Sequence, residues 1–394
     1  MLRRSWPRIR SSLRFAAGAE AETGRAFSLS DGTVCRDPRI LRKTAVFLCT
    51  SASIFASAAW VTNHYEAYWW AKAMPVSPEQ PGSYCAPVTG KAAEDGPCLL
   101  RVQAAIAGVR NWRDVVLSPL PERLQGLFAL RWPFDKAESF IYQRDSFRVA
   151  TAITAANVAV FLAWRCPRLW RSLGRHGIHH GLSGRSYTLF TAGFCHTDVF
   201  HIACNTACIY FFAGGLEYIA ARDGAHSQWT YSVPHLTAFW IVACAFGLYF
   251  PNTISLVAFR NRIRALPPAT TLMSTSLEPW HPVPLLMHFG ASAGMYSIAT
   301  LNALSPAGDK VVPVDILGYS ITSRQGWLAF ISAEAAIHLV AFTSAPAHLS
   351  GALFGAIYYH YGAAFWDRIR TAVGNRKTWY GVESRRYVKA CVRV

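Results

Sequence analysis

Charge is scarce in this chain. Asp, Glu, Lys and Arg make up 15% of its 394 residues, against 52% hydrophobic ones. That scarcity excludes an ordinary water-soluble globule, whose composition is about one-quarter charged, and leaves a membrane protein. Acids are the rarer sign, with 22 Asp and Glu against 39 Lys and Arg, and none occurs before Glu20. Metal-ligand spacing is missing as well: the ten cysteines are scattered without the short pairs of a zinc site, so neither a metal nor a cofactor is implied. Cys204, Cys208 and Cys244 lie in apolar runs, where a thiol behaves as a small hydrophobe. Cys85 and Cys98 share one polar loop and form either a disulfide or, more commonly for such a pair, two free thiols. No fixed-period repeat and no low-complexity tract is present.

The net charge of +17 would fit nucleic-acid binding if the cations were clustered on one face. They are instead in the N-terminal arm, the C-terminal tail and the connections between apolar segments, where membrane proteins keep Lys and Arg. The expected partner is a lipid bilayer, with no nucleic acid. Residues 1–19 carry five arginines and several serines, the composition of an organellar transit peptide, which sets off 1–40 from the rest. No uninterrupted apolar stretch follows those arginines, which argues against a secretory signal; a disordered basic tail is the plainer alternative.

Crossing a bilayer takes about 20 mostly apolar residues. Seven segments qualify: 44–62, 147–164, 188–213, 235–258, 285–304, 326–344 and 346–365. The polar, Pro-containing stretch between the first two, 63–145, reads as a connection, so the spacing predicts one N-terminal membrane helix and then a bundle of six. A basic tail, 367–394, closes the chain.

Polar groups inside such segments are costly, so each needs a partner or a task. His201 and Asn205 in HIACN are four residues apart and share a helix face; alone they would be read as an interhelical clamp. Ser292 in HFGASAGMYS lies among the small residues Gly290, Ala291, Ala293 and Gly294, with Tyr296 one turn on. Membrane serines usually bond only to their own helix. In APAHLSGALFGAIYY, His348, Gly351 and Gly355 form one stripe that lets another helix lie close beneath the imidazole.

Registration in depth links the three. Segments three, five and seven are each separated by one span, so they run parallel, and His201, Ser292 and His348 all fall near their starting ends. A serine hydroxyl needs a base to become a nucleophile, and His348 is suited to that task. Attack on a peptide carbonyl creates an oxyanion to which His201, Asn205 and the Ser292 backbone N–H can donate, one such donor being worth about 3–4 kcal/mol. No Asp or Glu is obviously placed as a third member, and Tyr296 can hold the imidazole by stacking.

These residues resemble the rhomboid family of intramembrane serine proteases, whose HxxxN, GxS and AHxxGxxxG motifs occur in order at His201 and Asn205, Gly290 and Ser292, and Ala347, His348, Gly351 and Gly355. Tyr296 matches the family's histidine-stacking tyrosine, His196 a further second-helix histidine, and Glu217 the acid that closes that helix. The resemblance covers about residues 146–366. The stretch AANVAVFLAWRCPRL is similar to mitochondrial presenilin-associated rhomboid-like proteases, which also carry an extra N-terminal helix. It implies an all-α membrane protein, a six-helix rhomboid core preceded by one transmembrane helix (1+6). It also implies a Ser292/His348 dyad cleaving transmembrane protein substrates in the mitochondrial inner membrane. One departure is Ala293, where the family usually has Gly; one added methyl could crowd the oxyanion pocket or the packing between the fourth and sixth core helices, but tolerance is expected, since the backbone N–H remains available and GASAG is made only of small residues.

Positive-inside reasoning places the arginine-rich loop 165–186 and the loop 259–284 on the matrix side, with the active-site mouth facing the matrix; the basic tail then falls on the other side, against the rule. Two other functions remain open. One is a catalytically silent rhomboid-like protein that binds membrane helices. The other is a transporter using Glu334 and His338, four residues apart, as a proton relay.

Overall fold

The structure is a computed structural model that describes residues 26–28, 34–36, 40–73, 91–181, 185–196, 198–223, 232–265, 287–288, 290–316, 319–341 and 345–374. Helices dominate. In chain order the principal ones are α1 (Ile40–Ala73), α2 (Lys91–Leu117), α3 (Phe128–Ile141), α4 (Asp145–Ala163), α5 (Val199–Phe211), α6 (Ala213–Asp223), α7 (Val233–Ala265), α8 (Ser292–Leu304), α9 (Ser323–Ala341) and α10 (Ala345–Gly374). Among the described residues the strands form three short antiparallel pairs, at 26–28 with 34–36, 179–180 with 287–288, and 311–316 with 319–322. The transit-peptide expectation at 1–40, the Cys85–Cys98 pairing and the basic tail lie largely or wholly outside the described residues.

Three described helices are long and apolar enough to cross a membrane: α1 over Ile40–Trp69, α4 over Asp145–Ala163 and α7 over Val233–Ala258. A fourth span is available if α5 and α6, bent by 42° at Phe212, count as one. The architecture is that of an all-α membrane protein, but two of the seven expected segments differ in form. Segment 285–304 holds a helix of 13 residues, α8, preceded by a strand and a turn. At 1.5 Å per residue α8 is about 20 Å long, short of a bilayer core. Segment 188–213 is interrupted: a turn of helix at Thr188–Thr191 and a 3₁₀ turn at Ala192–Phe194 lead into extended backbone at Cys195, and the chain starts α5 afresh. Asp198 makes that restart, its carboxylate accepting from the His201 backbone N–H at 2.8 Å as an N-cap.

The stretch 63–145 is also not a plain connection. α1 continues to Ala73, and α2 and α3 pack together, with Trp112 and Phe134 ring centroids 6.5 Å apart and Arg110 3.2 Å from Glu138. Polar composition hides these helices because each gains its stability from the other rather than from an apolar run.

The described residues fall into two compact units. The first comprises Met1–Ile54, Ala152–Gly215 and Phe239–His360, and α8 is its centre: every residue from Ala293 to Ala303 is buried. A helix apolar or small on all sides must be surrounded. The start of α1 belongs to this unit, where Phe47 stacks on Tyr249 at 4.3 Å. The second unit comprises Phe55–Thr151, Leu216–Ala238 and Tyr361–Val394. In it Arg370, 1% exposed, donates to Asn63 Oδ1 at 2.7 Å and to Glu66 Oε2 at 2.5 Å, while Asn63 Nδ2 donates back to the Arg370 carbonyl at 2.9 Å. A buried guanidinium left unpaired would be strongly destabilising, so both partners are needed. His235 stacks on Trp366 at 3.8 Å in the same unit, and Glu217 accepts from Arg144 at 2.9 Å on its surface.

Candidate active site

The entrance to α8 is built from three short pieces. His179–His180 pairs antiparallel with Met287–His288, and the Gly290 N–H donates to the Ala192 carbonyl at 2.9 Å. Gly290 has φ +117°, a conformation L side chains rarely adopt, so glycine is required for this turn. A Cβ there would also lie 3.0 Å from His201 Cε1, which places the His201 ring directly against the turn. Two residues later Ser292 opens α8, its side chain half-buried.

His348, in the first turn of α10, brings its Nε2 to 2.8 Å from Ser292 Oγ. The separation is set by backbone packing. A Cβ on Gly351 would lie 2.2 Å from the Ala293 carbonyl oxygen, and one on Gly355 2.4 Å from that of Ser297, so α10 rests on α8 with no side chain between. Ser297 reinforces the seam, donating to the Gly351 carbonyl at 2.6 Å. Below the imidazole, the Tyr296 ring stacks on His348 at 4.4 Å with an interplanar angle of 18°.

The other imidazole nitrogen corrects the sequence reading that no acid is placed beside the dyad. His348 Nδ1 is hydrogen-bonded to Glu334 Oε1, and the Tyr296 hydroxyl donates to Glu334 Oε2. With the carboxylate ionised it only accepts, and Nδ1 then carries the proton while Nε2 is left to accept from Ser292. Glu334 and His338 stood out in the sequence as a pair on one face. The carboxylate instead faces His348 and Tyr296, and the side chain of His338 lies outside the described residues. The signal was present, since an ionisable group inside an apolar helix requires a partner; which partner is a tertiary fact.

His196, His201 and Asn205 gather on the opposite side of the Gly290 turn. Asn205 Nδ2 donates to His196 Nε2 at 3.0 Å, and the Ala291 N–H points at the same nitrogen at 3.5 Å. The His196 and His201 rings meet edge to face at 5.0 Å. His196 thus ties the buried Asn205 amide to the backbone just before Ser292, a link the HxxxN spacing does not contain.

Ala293 is 2% exposed, and its methyl faces α7 at Gly247, where an added Cβ would lie 2.2 Å from Ala293 Cβ. The extra carbon is accommodated by the missing one on α7. Among the described residues no group of three or more His, Cys, Asp or Glu has a geometry that could hold a metal ion.

The chain is similar to curated proteins named presenilin-associated rhomboid-like protein, mitochondrial. It is 27% identical to that of Bos taurus over 221 residues, 55% of this chain and 49% of the relative. It is 26% identical to that of Homo sapiens over 241 residues, 58% of this chain and 54% of the relative. To that of Mus musculus it is 26% identical over 286 residues, 69% of this chain and 64% of the relative. The chain spans about half the length of the bovine and human relatives it matches. No family model matches, and no solved structure does. These relatives bear out the resemblance to mitochondrial rhomboid-like proteins.

Proposed function

We propose that this chain is a rhomboid-type intramembrane serine endopeptidase that cleaves transmembrane segments of membrane-anchored proteins. The observation that carries the reading is the 2.8 Å contact between Ser292 Oγ and His348 Nε2 at the head of two helices packed backbone to backbone. Ser292 Oγ attacks the scissile carbonyl carbon; its proton passes to His348 Nε2, and the carbonyl π-pair moves to oxygen. The Ser292 N–H and the His201 and Asn205 side chains stabilise that oxyanion. Collapse breaks the C–N bond as Nε2 returns the proton to the leaving nitrogen, and water then hydrolyses the acyl-enzyme by the same route. Tyr296 holds the imidazole plane; Gly290, Gly351 and Gly355 bring the elements close, and His196 steadies Asn205. The proposed setting is a multi-pass protein of the mitochondrial inner membrane with a 1+6 arrangement, supported by the relatives' printed names and by apolar helices on both sides of residues 74–144.

The test is active-site labelling of the purified full chain by a fluorophosphonate, together with cleavage of a transmembrane peptide in proteoliposomes. The wild type is expected to be labelled and to cleave, and Ser292→Ala and His348→Ala to do neither while keeping their thermal midpoints. A wild type that binds the peptide but neither labels nor cleaves would instead identify a catalytically silent membrane-helix binder.

A further inference from the structure

We infer that Glu334 is a third, positioning member of the catalytic group, converting the Ser292/His348 pair into a Ser–His–Glu triad; this rests on the protease reading above. Both carboxylate oxygens are engaged, Oε1 with His348 Nδ1 and Oε2 with the Tyr296 hydroxyl. Tyr296 therefore holds the imidazole twice, once by its ring face against His348 and once by fixing the carboxylate that fixes Nδ1.

The surroundings leave Glu334 little freedom to be elsewhere. Trp327, Phe330 and Glu334 are spaced i, i+3 and i+7 on α9, which puts them on one face. The first two press their rings on Tyr296, with centroids 5.1 and 5.9 Å away. That packing aims the third at the imidazole. Glu334 and His348 side chains are 16% and 18% exposed, so the pair is largely withdrawn from solvent and its hydrogen bond is poorly screened.

The chemical consequence follows from donor and acceptor roles. With the proton held on Nδ1, Nε2 presents its lone pair to the Ser292 hydroxyl, which is the arrangement proton abstraction requires. When Nε2 takes the serine proton, the imidazolium lies against the carboxylate, which stabilises the positive charge without itself accepting a proton. Replacing the acid of a Ser–His–acid triad by its amide leaves the packing intact yet lowers kcat by about 10⁴-fold elsewhere, because the wrong tautomer is then favoured. Among the described residues, His201, across the Gly290 turn, and Tyr296 are the other titratable groups near this imidazole; neither is an anion able to replace Glu334.

The experiment compares wild type, Glu334→Gln, Glu334→Asp and Ser292→Ala as full-length protein. It measures fluorophosphonate labelling rate, kcat and KM on a reconstituted transmembrane peptide, and thermal midpoint. Glu334→Gln preserves volume and keeps an acceptor for Tyr296; it is expected to lose kcat and labelling rate by about 10²-fold or more with KM and thermal midpoint unchanged. Glu334→Asp, still anionic, recovers part of that loss. Wild-type kcat in Glu334→Gln would overturn the assignment, as would a loss in which Gln and Asp are equally impaired and both melt early, since that marks a packing role. If the wild type itself is unlabelled at Ser292 and inert, the protease reading fails first and this one with it.

Discussion

The two faces of α8 hold their neighbours by opposite means. Toward α10 the close approach is backbone on backbone: Gly351 and Gly355 stand where any Cβ would meet a carbonyl oxygen of α8 at 2.2 or 2.4 Å. Toward α9 the space is filled by large side chains, with Tyr296 against Trp327 and Phe330, and Trp327 Nε1 donating to Thr300 Oγ1 at 3.1 Å. A glycine seam fixes distance, because hard contact between backbones has no softer position to relax into. An aromatic face fixes orientation, because rings can slide but their hydrogen-bonding edges cannot turn freely. The separation of Ser292 from His348 belongs to the first face and the rotation of the imidazole to the second.

The sharpest way to break this division is to put a side chain into the seam. Gly351→Leu must push α10 off the Ala293 carbonyl, and a displacement near 1 Å at reacting atoms costs about 10²-fold. Fluorophosphonate labelling of Ser292 is expected to fall by at least that factor, with an earlier thermal transition; labelling at the wild-type rate would show that the seam does not set the distance.

A smaller effect is expected on the α7 side. Gly247→Ala adds a Cβ that would lie 2.2 Å from that of Ala293, and overpacking of this kind costs about 1–3 kcal/mol. Ala293→Gly alone should change little, and in the double variant it should restore most of the stability lost. A double-mutant cycle by thermal or denaturant unfolding checks this, and additive effects would mean that the two positions do not share one space.

The smallest change probes the aromatic face. Trp327→Phe keeps a ring but removes the donor to Thr300 Oγ1, and a typical hydrogen bond contributes about 0.5–1.5 kcal/mol. Stability should drop within that range with labelling of Ser292 unaltered. A loss of labelling larger than the loss of stability would show that this face carries distance as well as orientation.

The sequence made some of this legible and hid the rest for identifiable reasons. HxxxN, GxS and AHxxGxxxG are spacings along single helices, so they announce which residues share a face: His201 with Asn205, His348 with Gly351 and Gly355. Adjacency between helices follows no such period. Glu334 stood out as an ionisable group in an apolar helix, yet its neighbour on the same helix, His338, drew the pairing that belongs to His348. The shortness of α8 was hidden because hydropathy continues through 285–291, within which Met287–His288 is a strand and Gly290 a positive-φ turn. α2 and α3 were hidden for the reverse reason: they are polar helices paired through Trp112, Phe134, Arg110 and Glu138, with no apolar run to mark them.

The buried Arg370 sets an order in time. Its two side-chain partners, Asn63 and Glu66, lie 307 and 304 residues upstream, so they are made almost a whole chain earlier. Until α10 emerges, Glu66 has yet to meet this guanidinium. A charge in apolar surroundings costs several kcal/mol. The last helix is therefore held to the first, and a chain interrupted before residue 370 lacks the bonds that Arg370 makes to Asn63 and Glu66.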